Sequence, residues 1–222
     1  MELLDNPVWA ALSGPQKNLS EGYGRSARFH PEVSPFAALE DPSDAQAWAD
    51  LRSLLQPGDL AIVAAPGLVV PPGFAADPLT PGLQMIGADY HGAPGTDAVA
   101  LGAGDVPDML DLVARTRPGP FRRRTVELGG YVGIRRDGRL VAMAGQRLHP
   151  DGYTEISAVC TDLQFRGAGL ATRVIAAVAH GIRSRGDVPF LHLAGTNTAA
   201  RRLYEHLGFV VRTEVAFVGV SG

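Results

Sequence analysis

The amino-acid sequence predicts a mixed α/β fold, and three observations carry this prediction. Residues 155–171 begin as an apolar, strand-like run and continue into a helix in which apolar residues recur in steps of four from Leu170 onward. Apolar runs of strand length alternate with helical patterns over residues 97–222. Asp137-Gly138 separates two of these runs and is typical of a hairpin turn of the primed type. We therefore expect a mixed sheet flanked by helices.

Residues 97–222 give the clearer pattern of elements. The predicted strands are residues 98–101, 131–135, 140–148, 155–160, 190–194 and 209–220, the last of them broken into two near residues 212–214. Four helices are predicted. The first begins at residue 106, and the others cover residues 118–128, 170–185 and 198–207. This order places a long helix directly after the glycine-rich turn at residues 164–169.

The first 96 residues are rich in turns and hold 12 of the 17 prolines. A capping box at residues 43–46 predicts a helix with Trp48, Leu51 and Leu55 on its buried side. Short strands are expected at residues 60–64 and 83–86. We interpret residues 1–96 as a separate N-terminal α/β lobe without a chemical motif, and residues 97–222 as a second domain.

Composition excludes several classes of protein. A single cysteine excludes an internal disulfide framework. The longest apolar stretch, residues 60–70, is interrupted by Pro66 and Gly67 and is too short to cross a bilayer. The first residues lack the basic start of a signal peptide, so we expect a cytoplasmic protein without a membrane partner. No basic run is interleaved with aromatic residues, so nucleic acid is not expected as a partner.

Charge is divided unevenly along the chain. Residues 1–96 contain 4 basic and 11 acidic side chains, a balance of −7, whereas residues 97–222 contain 16 basic and 12 acidic side chains, a balance of +4. The positive half suits a polyanionic ligand, and the negative half would attract a cationic one. These acids could equally serve only to solvate a surface.

The turn between the strand at residues 155–160 and the following helix has the chemistry of an anion site. Gly167 and Gly169 let the backbone approach a ligand closely, and the first turn of the helix presents N–H groups without internal partners. Arg166 adds a positive charge. A Walker-type loop is excluded because no Gly-Lys-Ser/Thr triplet occurs, and position 172 is Thr where a dinucleotide fingerprint needs Gly.

A second segment, residues 197–209 (NTAARRLYEHLGF), lies one predicted strand downstream. Together, the two segments resemble the GNAT superfamily of acyl-CoA-dependent N-acetyltransferases. Residues 164–169 match the family's Q/R-x-x-G-x-G/A pyrophosphate loop, and residues 197–209 match its N-x-x-A-x-x-L-Y-x-x-x-G-F pattern. The resemblance extends loosely back to about residue 97 and does not cover the first 95 residues. Two-lobed members of the superfamily make a degenerate GNAT-like N-terminal half conceivable.

The resemblance implies a site for acetyl-CoA and no metal. It places the cofactor phosphates on backbone N–H groups of residues 166–171, the pantetheine arm along main-chain groups of Val159 and Thr161, and Asn197 against the arm. The implied cofactor-binding residues are Val159, Thr161, Arg166, Gly167, Ala168, Gly169, Leu170, Ala171 and Asn197. Many relatives have proline just before the loop, whereas Asp162-Leu163 stands here and brings a negative charge near the phosphates.

Two residues are expected to be catalytic. The resemblance makes Tyr204 the general acid that protonates the departing thiolate, and its alternative is a plain core tyrosine. Glu155 could take a proton from the acceptor amine, directly or through water, and could equally be a solvent-facing strand residue. Glu127 and His149 are weaker candidates for the base, and Cys160 is a weak candidate for a nucleophile.

The expected activity is transfer of an acetyl group from acetyl-CoA to an amine. Either a small-molecule amine or a peptide N-terminus would serve as acceptor, and the chain could act as a monomer or a homodimer. Backbone N–H groups of the strand at residues 155–160 would stabilise the oxyanion. The alternative from another class is an acyl-CoA-binding sensor or scaffold without turnover, because fold alone does not fix function.

Overall fold

The computed structural model describes residues 2–221, apart from the side chain of Ala75. Its strands, β1–β12 in chain order, are Ser20–Tyr23, Ser26–Phe29, Ala37–Leu39, Leu60–Ala65, Ala75–Ala76, Thr80–Ile86, Val99–Ala100, Val132–Arg136, Arg139–Gln146, Tyr153–Thr161, Val188–Ala194 and Val210–Ser221. Its α-helices, α1–α5, are Pro7–Ser13, Ala45–Leu54, Val106–Thr116, Leu170–Ser184 and Thr198–His206. The predicted mixed α/β fold is confirmed.

One large sheet organises the molecule. It has nine strands in the order β4-β12-β6-β11-β10-β9-β8-β7, with β5 paired to β12. The β10–β11 pair is parallel, and the other ladders of this sheet are antiparallel. The three strands β1-β2-β3 form a second, small antiparallel sheet. A bridge between Phe36 and Ile62 links the small sheet to the large one.

Strands from the two halves of the chain interleave in the large sheet. Strand β6, from the first 96 residues, lies between β11 and β12 and pairs antiparallel with both. Strand β4 continues the sheet beyond β12. The sheet therefore runs without interruption across the domain boundary that we expected at residue 96, and that boundary stays a prediction from composition.

Helices cover the large sheet on both faces. Helix α4 buries its apolar stripe, including Val174, Val178 and Ile182, against one face of the sheet. Helix α3 packs Met109 and Leu112 with residues of β9 and β10. No helix within residues 2–221 is both long enough and apolar enough to cross a membrane.

Most predicted elements match, and two differ. The Asp137-Gly138 turn has φ of 50° and 79°, as the primed hairpin requires. The helix expected at residues 118–128 is wrong: Pro118, Gly119 and Pro120 interrupt it, and a short 3₁₀ turn, Thr125–Leu128, is what forms. The break expected near residues 212–214 is also wrong, because β12 accommodates it as a register shift between Val211 and Thr213 and continues.

Candidate active site

A cleft opens where the two parallel strands of the sheet separate. The β10–β11 pairing holds only from Tyr153 to Glu155, opposite Val188 to Phe190. Beyond Glu155 the strands diverge, and a cleft of about 1100 Å³ lies between them. Residues of β10, the loop that follows it, α5, and the chain before β6 line this cleft. Such a split between parallel strands is a common place for a ligand.

A β-bulge distorts β10 inside the cleft. Ser157 pairs with Gly145 and Cys160 pairs with Met143, so Ala158 and Val159 face a single residue of β9. Ala158 adopts a positive φ of 53°, which is rare for a residue with a Cβ. A bulge interrupts the ladder and leaves main-chain groups unpaired. Main-chain polar groups are therefore presented at the cleft wall, where the resemblance placed the cofactor arm.

The glycine loop at the start of α4 has the geometry of an anion cradle. Gly167 and Gly169 have φ of 81° and 71°, and Gly169 is the N-cap of α4. A Cβ at either position would meet nothing within 4 Å, so the backbone faces open space. The N–H groups of the first turn of α4 have no partner within the helix, and they lie at the same end of α4 as the glycine loop. Arg166, on the exposed side of the loop, adds positive charge.

The structure brings together nearly all predicted cofactor-binding residues. Those that line the cleft are Val159, Thr161, Arg166, Gly167, Gly169, Leu170, Ala171 and Asn197. Ala168 lies on the loop but not in the lining. Asn197 also caps α5, since its Oδ1 accepts from the Ala200 N–H at 3.1 Å. Asn197 can therefore cap α5 and line the cleft in one conformation.

The acidic residue at the loop entrance, Asp162, is neutralised by its neighbours. Its carboxylate is buried and forms ion pairs with Arg115 and, at 3.5 Å, with Arg139. It also accepts from the Gln164 N–H at 3.0 Å and so caps the short turn Leu163–Phe165. The negative charge that stands near the expected phosphates is therefore compensated by two arginines that the motif does not contain.

Tyr204 lies at the side of the cleft, on α5. Its side chain is buried and packs edge-on against Phe209, with ring centroids 5.8 Å apart. Burial, with a smaller contribution from the charge of Glu155, raises the pKa of the Tyr204 phenol well above its usual range. The hydroxyl therefore keeps its proton throughout the neutral range, which a proton donor requires.

Glu155 is the centre of a buried charge network and does not line the cleft. Arg147 grips it through two nitrogens, with Nε to Oε2 at 2.7 Å and Nη2 to Oε1 at 2.5 Å. His192 Nδ1 lies 2.8 Å from the same Oε1. Burial alone would disfavour the carboxylate, but Arg147 and then His192 outweigh it and lower the pKa of Glu155 to about 2. Both oxygens are thus engaged, which favours a positioning role for this residue.

The protonation of His192 follows from its neighbours. Gln84 Oε1 accepts from Arg212, so the Gln84 amide nitrogen is the atom 3.0 Å from His192 Nε2, and this nitrogen also donates to the Leu4 carbonyl. His192 Nε2 must therefore accept, and Nδ1 must carry the proton that it donates to Glu155. These contacts fix the tautomer of His192, which itself lines the cleft.

The other residues that the sequence offered as a general base or a nucleophile lie in surroundings that do not suit these roles. Glu127 is exposed and pairs with Arg124 at 2.7 Å, and neither it nor the half-buried His149 lines the cleft. Cys160 does line it, but burial raises the pKa of the thiol to about 11, so it stays protonated near neutral pH. The arrangement gives no support to a cysteine nucleophile.

Sequence reasoning missed several residues of the cleft. Arg147 and His192 were not singled out, although Arg147 stands opposite Glu155 across the β9–β10 hairpin and a cross-strand pair of opposite charges is a readable signal. The wall formed by residues before β6, together with Phe217 of β12, had no local signal because the sheet order places it there.

Comparison with known proteins gives a consistent result. A family model described as FR47-like protein matches residues 131–218. A solved structure described as a GNAT-family acetyltransferase, from Novosphingobium aromaticivorans, is 41% identical with a TM-score of 0.91 and covers 100% of this chain and 99% of that chain. A GCN5-related N-acetyltransferase from Kribbella flavida, 21% identical over 98% of this chain and 96% of its own, has a TM-score of 0.61 and shares the fold.

Among curated proteins, a mycothiol acetyltransferase from Thermomonospora curvata is 30% identical over 188 residues. The match covers 81% of this chain and 58% of that protein. This chain therefore spans less than two thirds of the length of that relative.

Proposed function

Since this chain belongs to the GNAT family of acyltransferases, we propose that it transfers an acetyl group from acetyl-CoA to a primary amine by direct attack. The observation that carries the proposal is the opening between β10 and β11, with a bulged strand on one wall and a glycine cradle at its end. An extended thioester with a diphosphate suits this combination: main-chain groups along an arm, and free helical N–H groups for the phosphates.

Acetyl-CoA would supply an activated acyl group on a thiolate leaving group. In the proposed arrangement the loop of residues 166–171 binds its phosphates, and Val159 and Thr161 align its arm beside the bulge. Backbone N–H groups of β10 donate to the carbonyl oxygen on which negative charge develops. Tyr204 donates its phenolic proton toward the leaving sulfur. Each of these roles uses a residue that lines the cleft.

The acceptor must lose a proton before it attacks. Glu155 as the general base remains a prediction from the sequence, and its two engaged oxygens favour another role: it holds Arg147 and fixes the tautomer of His192. A small amine or a peptide N-terminus could enter the cleft as acceptor. Water in the open part of the cleft would accept the proton without any side-chain base.

The rival function is a sensor that binds acyl-CoA without turnover. A thiol-release assay with acetyl-CoA and a panel of amines separates the two. Release of CoA that depends on an amine, with the acetylated amine found by mass spectrometry, supports the transferase. Tight binding of acetyl-CoA without release for any amine would support the sensor.

The cradle can be tested by Gly169→Glu. We expect this variant to bind acetyl-CoA about 10- to 100-fold more weakly, because bulk and negative charge enter the place of the phosphates. The matched variant Gly169→Ala carries the same strain at φ of 71° without the charge, and should lose much less affinity. Calorimetry on both, after circular dichroism confirms the fold, gives the comparison. Equal affinities for the two variants and wild type would remove the phosphates from this loop.

A further inference from the structure

The cleft continues past the expected cofactor site to a wall built by the first half of the chain. The residues that line this wall are Phe36, Leu60, Ile62, Asp77, Pro78 and Thr80, and Phe217, Val218 and Gly219 of the neighbouring strand β12 also line the cleft. The wall is mainly apolar or aromatic. None of these residues belongs to the two motifs that resemble the acetyltransferase family, and the proposed function gives them no role.

Contacts connect this wall to the point where the strands separate. His192, which holds Glu155 at the last paired position of β10, packs edge-on against Phe217 at 5.9 Å between ring centroids. Phe217 in turn meets Phe36 at 6.5 Å. The Phe217 ring lies directly over Gly82, where a Cβ would come within 2.3 Å of it. A molecule that approaches the bulge from this side therefore passes along an aromatic surface.

Asp77 belongs to this wall and lies against Gly219 of β12. Its N–H donates to the Gly219 carbonyl at 2.8 Å, and its carboxylate lies so close over Gly219 that a Cβ there would be 2.5 Å from Oδ2. Among the residues that the structure describes, Asp77 is the one acid that lines the cleft. Within residues 2–221 it forms no ion pair, so its charge is free to meet a ligand.

Within residues 2–221, three arginines line the cleft, and Arg147 contacts the wall itself, with its guanidinium carbon 4.4 Å from the centroid of the Phe36 ring. Arg147 is neutralised by Glu155. Arg117 is the C-cap of α3, the helix that packs against β9 and β10, and Arg166 belongs to the glycine loop. Among the described residues, the lining therefore holds one arginine on the glycine loop, Arg166, and one carboxylate, Asp77, on the wall from the first half of the chain.

Most other acids of the first half cannot act on the cleft. Glu2 and Asp5 pair with Arg212, Glu21 and Asp59 pair with Arg28, and Glu40 and Asp44 pair with Arg25. Of the acidic residues at positions 2–96, Asp77 alone lines the cleft. The balance of −7 in residues 1–96 therefore does not create an acidic wall, and any selection for charge falls to Asp77.

We infer that the acceptor is an amine with a second cationic group on an apolar spacer. Asp77 binds the second group, and the spacer lies along Phe36 and Phe217. The reacting amine then points toward the bulge. This inference rests on the proposed acetyl transfer and adds the class of substrate. Amines of this kind are protonated at neutral pH, so an unpaired carboxylate raises their local concentration.

Three acceptors of equal length test the inference: 1,5-diaminopentane, 5-amino-1-pentanol and 5-aminopentanoate. Their reacting ends are alike, and their far ends are cationic, neutral and anionic. With acetyl-CoA as the acyl donor, we expect kcat/KM for the acceptor to fall in that order. In Asp77→Asn the advantage of the diamine over the amino alcohol should shrink by about 5- to 10-fold, because one charge-assisted contact is lost. Asp89→Asn removes an equal charge from an exposed site outside the cleft and should keep the full preference.

The outcomes separate the inference from the proposed function. Equal rates for the three acceptors, or the same preference in Asp77→Asn as in Asp89→Asn, overturn the role of Asp77 while acetyl transfer stands. Failure of the diamine to react at all overturns the acceptor class, whatever other amines do. Absence of CoA release with every amine of a broader panel removes the proposed function itself. A preference for the diamine that weakens with salt in wild type and is lost in Asp77→Asn supports the inference.

Discussion

Replacement of Tyr204 by Phe should lower kcat by about 10²- to 10⁴-fold while the affinity for acetyl-CoA stays near that of the wild type. The change removes one oxygen and leaves the ring against Phe209 in place. The fold should therefore survive, and the loss should lie in the chemical step. Single-turnover rates measure that step, and calorimetry with acetyl-CoA measures binding separately.

Because Tyr204 is buried, we expect the fall in kcat to lie in the lower part of the range of about 10²- to 10⁴-fold. A pKa raised above its usual range keeps the proton on the phenol, but it also makes full transfer to a thiolate less favourable. The hydroxyl would then act mainly as a hydrogen-bond donor to the sulfur as its charge develops. We expect the effect on kcat to change little between pH 6 and 9, because the phenol stays protonated over this interval.

A matched tyrosine provides the control for this prediction. Tyr131 is also buried, its pKa is also raised by burial, and it does not line the cleft. Tyr131→Phe should therefore keep kcat close to that of the wild type. Wild-type turnover in Tyr204→Phe, or equal losses in both variants, would return Tyr204 to a purely structural role.

Local patterns predicted the parts of the site that a continuous segment builds. The glycine loop, α4 and α5 follow from spacing within residues 155–209, because strand, turn and helix are neighbours in the chain. The same reasoning explains why the primed hairpin turn was found. Capping and turn chemistry act over two to four residues, which a single sequence displays directly.

The parts of the site that the sequence could not predict depend on pairing between strands that are distant in the chain. The insertion of β6 between β11 and β12 depends on ladders that join residues more than 100 positions apart, and no local period encodes such an order. That insertion brings Asp77 and Thr80 to the cleft and links β6 to Phe217 of the last strand. The charge split suggested an acidic wall, but among the described acids of the first half the fold brings only Asp77 to the cleft.

The surroundings of Glu155 could also not be predicted from the sequence. An acid in a strand could face either side, and the pattern left this open. In the structure it faces the interior, and its partners are Arg147, which directly follows β9, and His192 of β11. A role as base was inferred from position along β10, whereas burial and pairing decide its chemistry.

Glu155→Gln should destabilise the protein by about 3 kcal/mol at pH 7, because it leaves the largely buried Arg147 without its counter-charge. This corresponds to a fall in Tm of about 6–12 °C for a chain of this size. The control is Glu127→Gln, which removes an exposed partner of Arg124 and should cost no more than about 1 kcal/mol. Urea unfolding of wild type and both variants gives the three free energies.

Acid should reduce the difference between wild type and Glu155→Gln. The folded pKa of Glu155 is about 2, below the value of 4.5 for an unpaired Glu, so its charge stabilises the folded state at pH values above 4.5. This contribution is lost as pH falls from about 4.5 toward 2, and by pH 3 roughly half of it should be gone. Glutamine cannot titrate, so the unfolding curves of the two proteins should converge in this interval. A difference that stays constant from pH 7 to pH 3, or a Glu155→Gln variant as stable as Glu127→Gln, would show that the Arg147–Glu155 pair does not hold the two strands together.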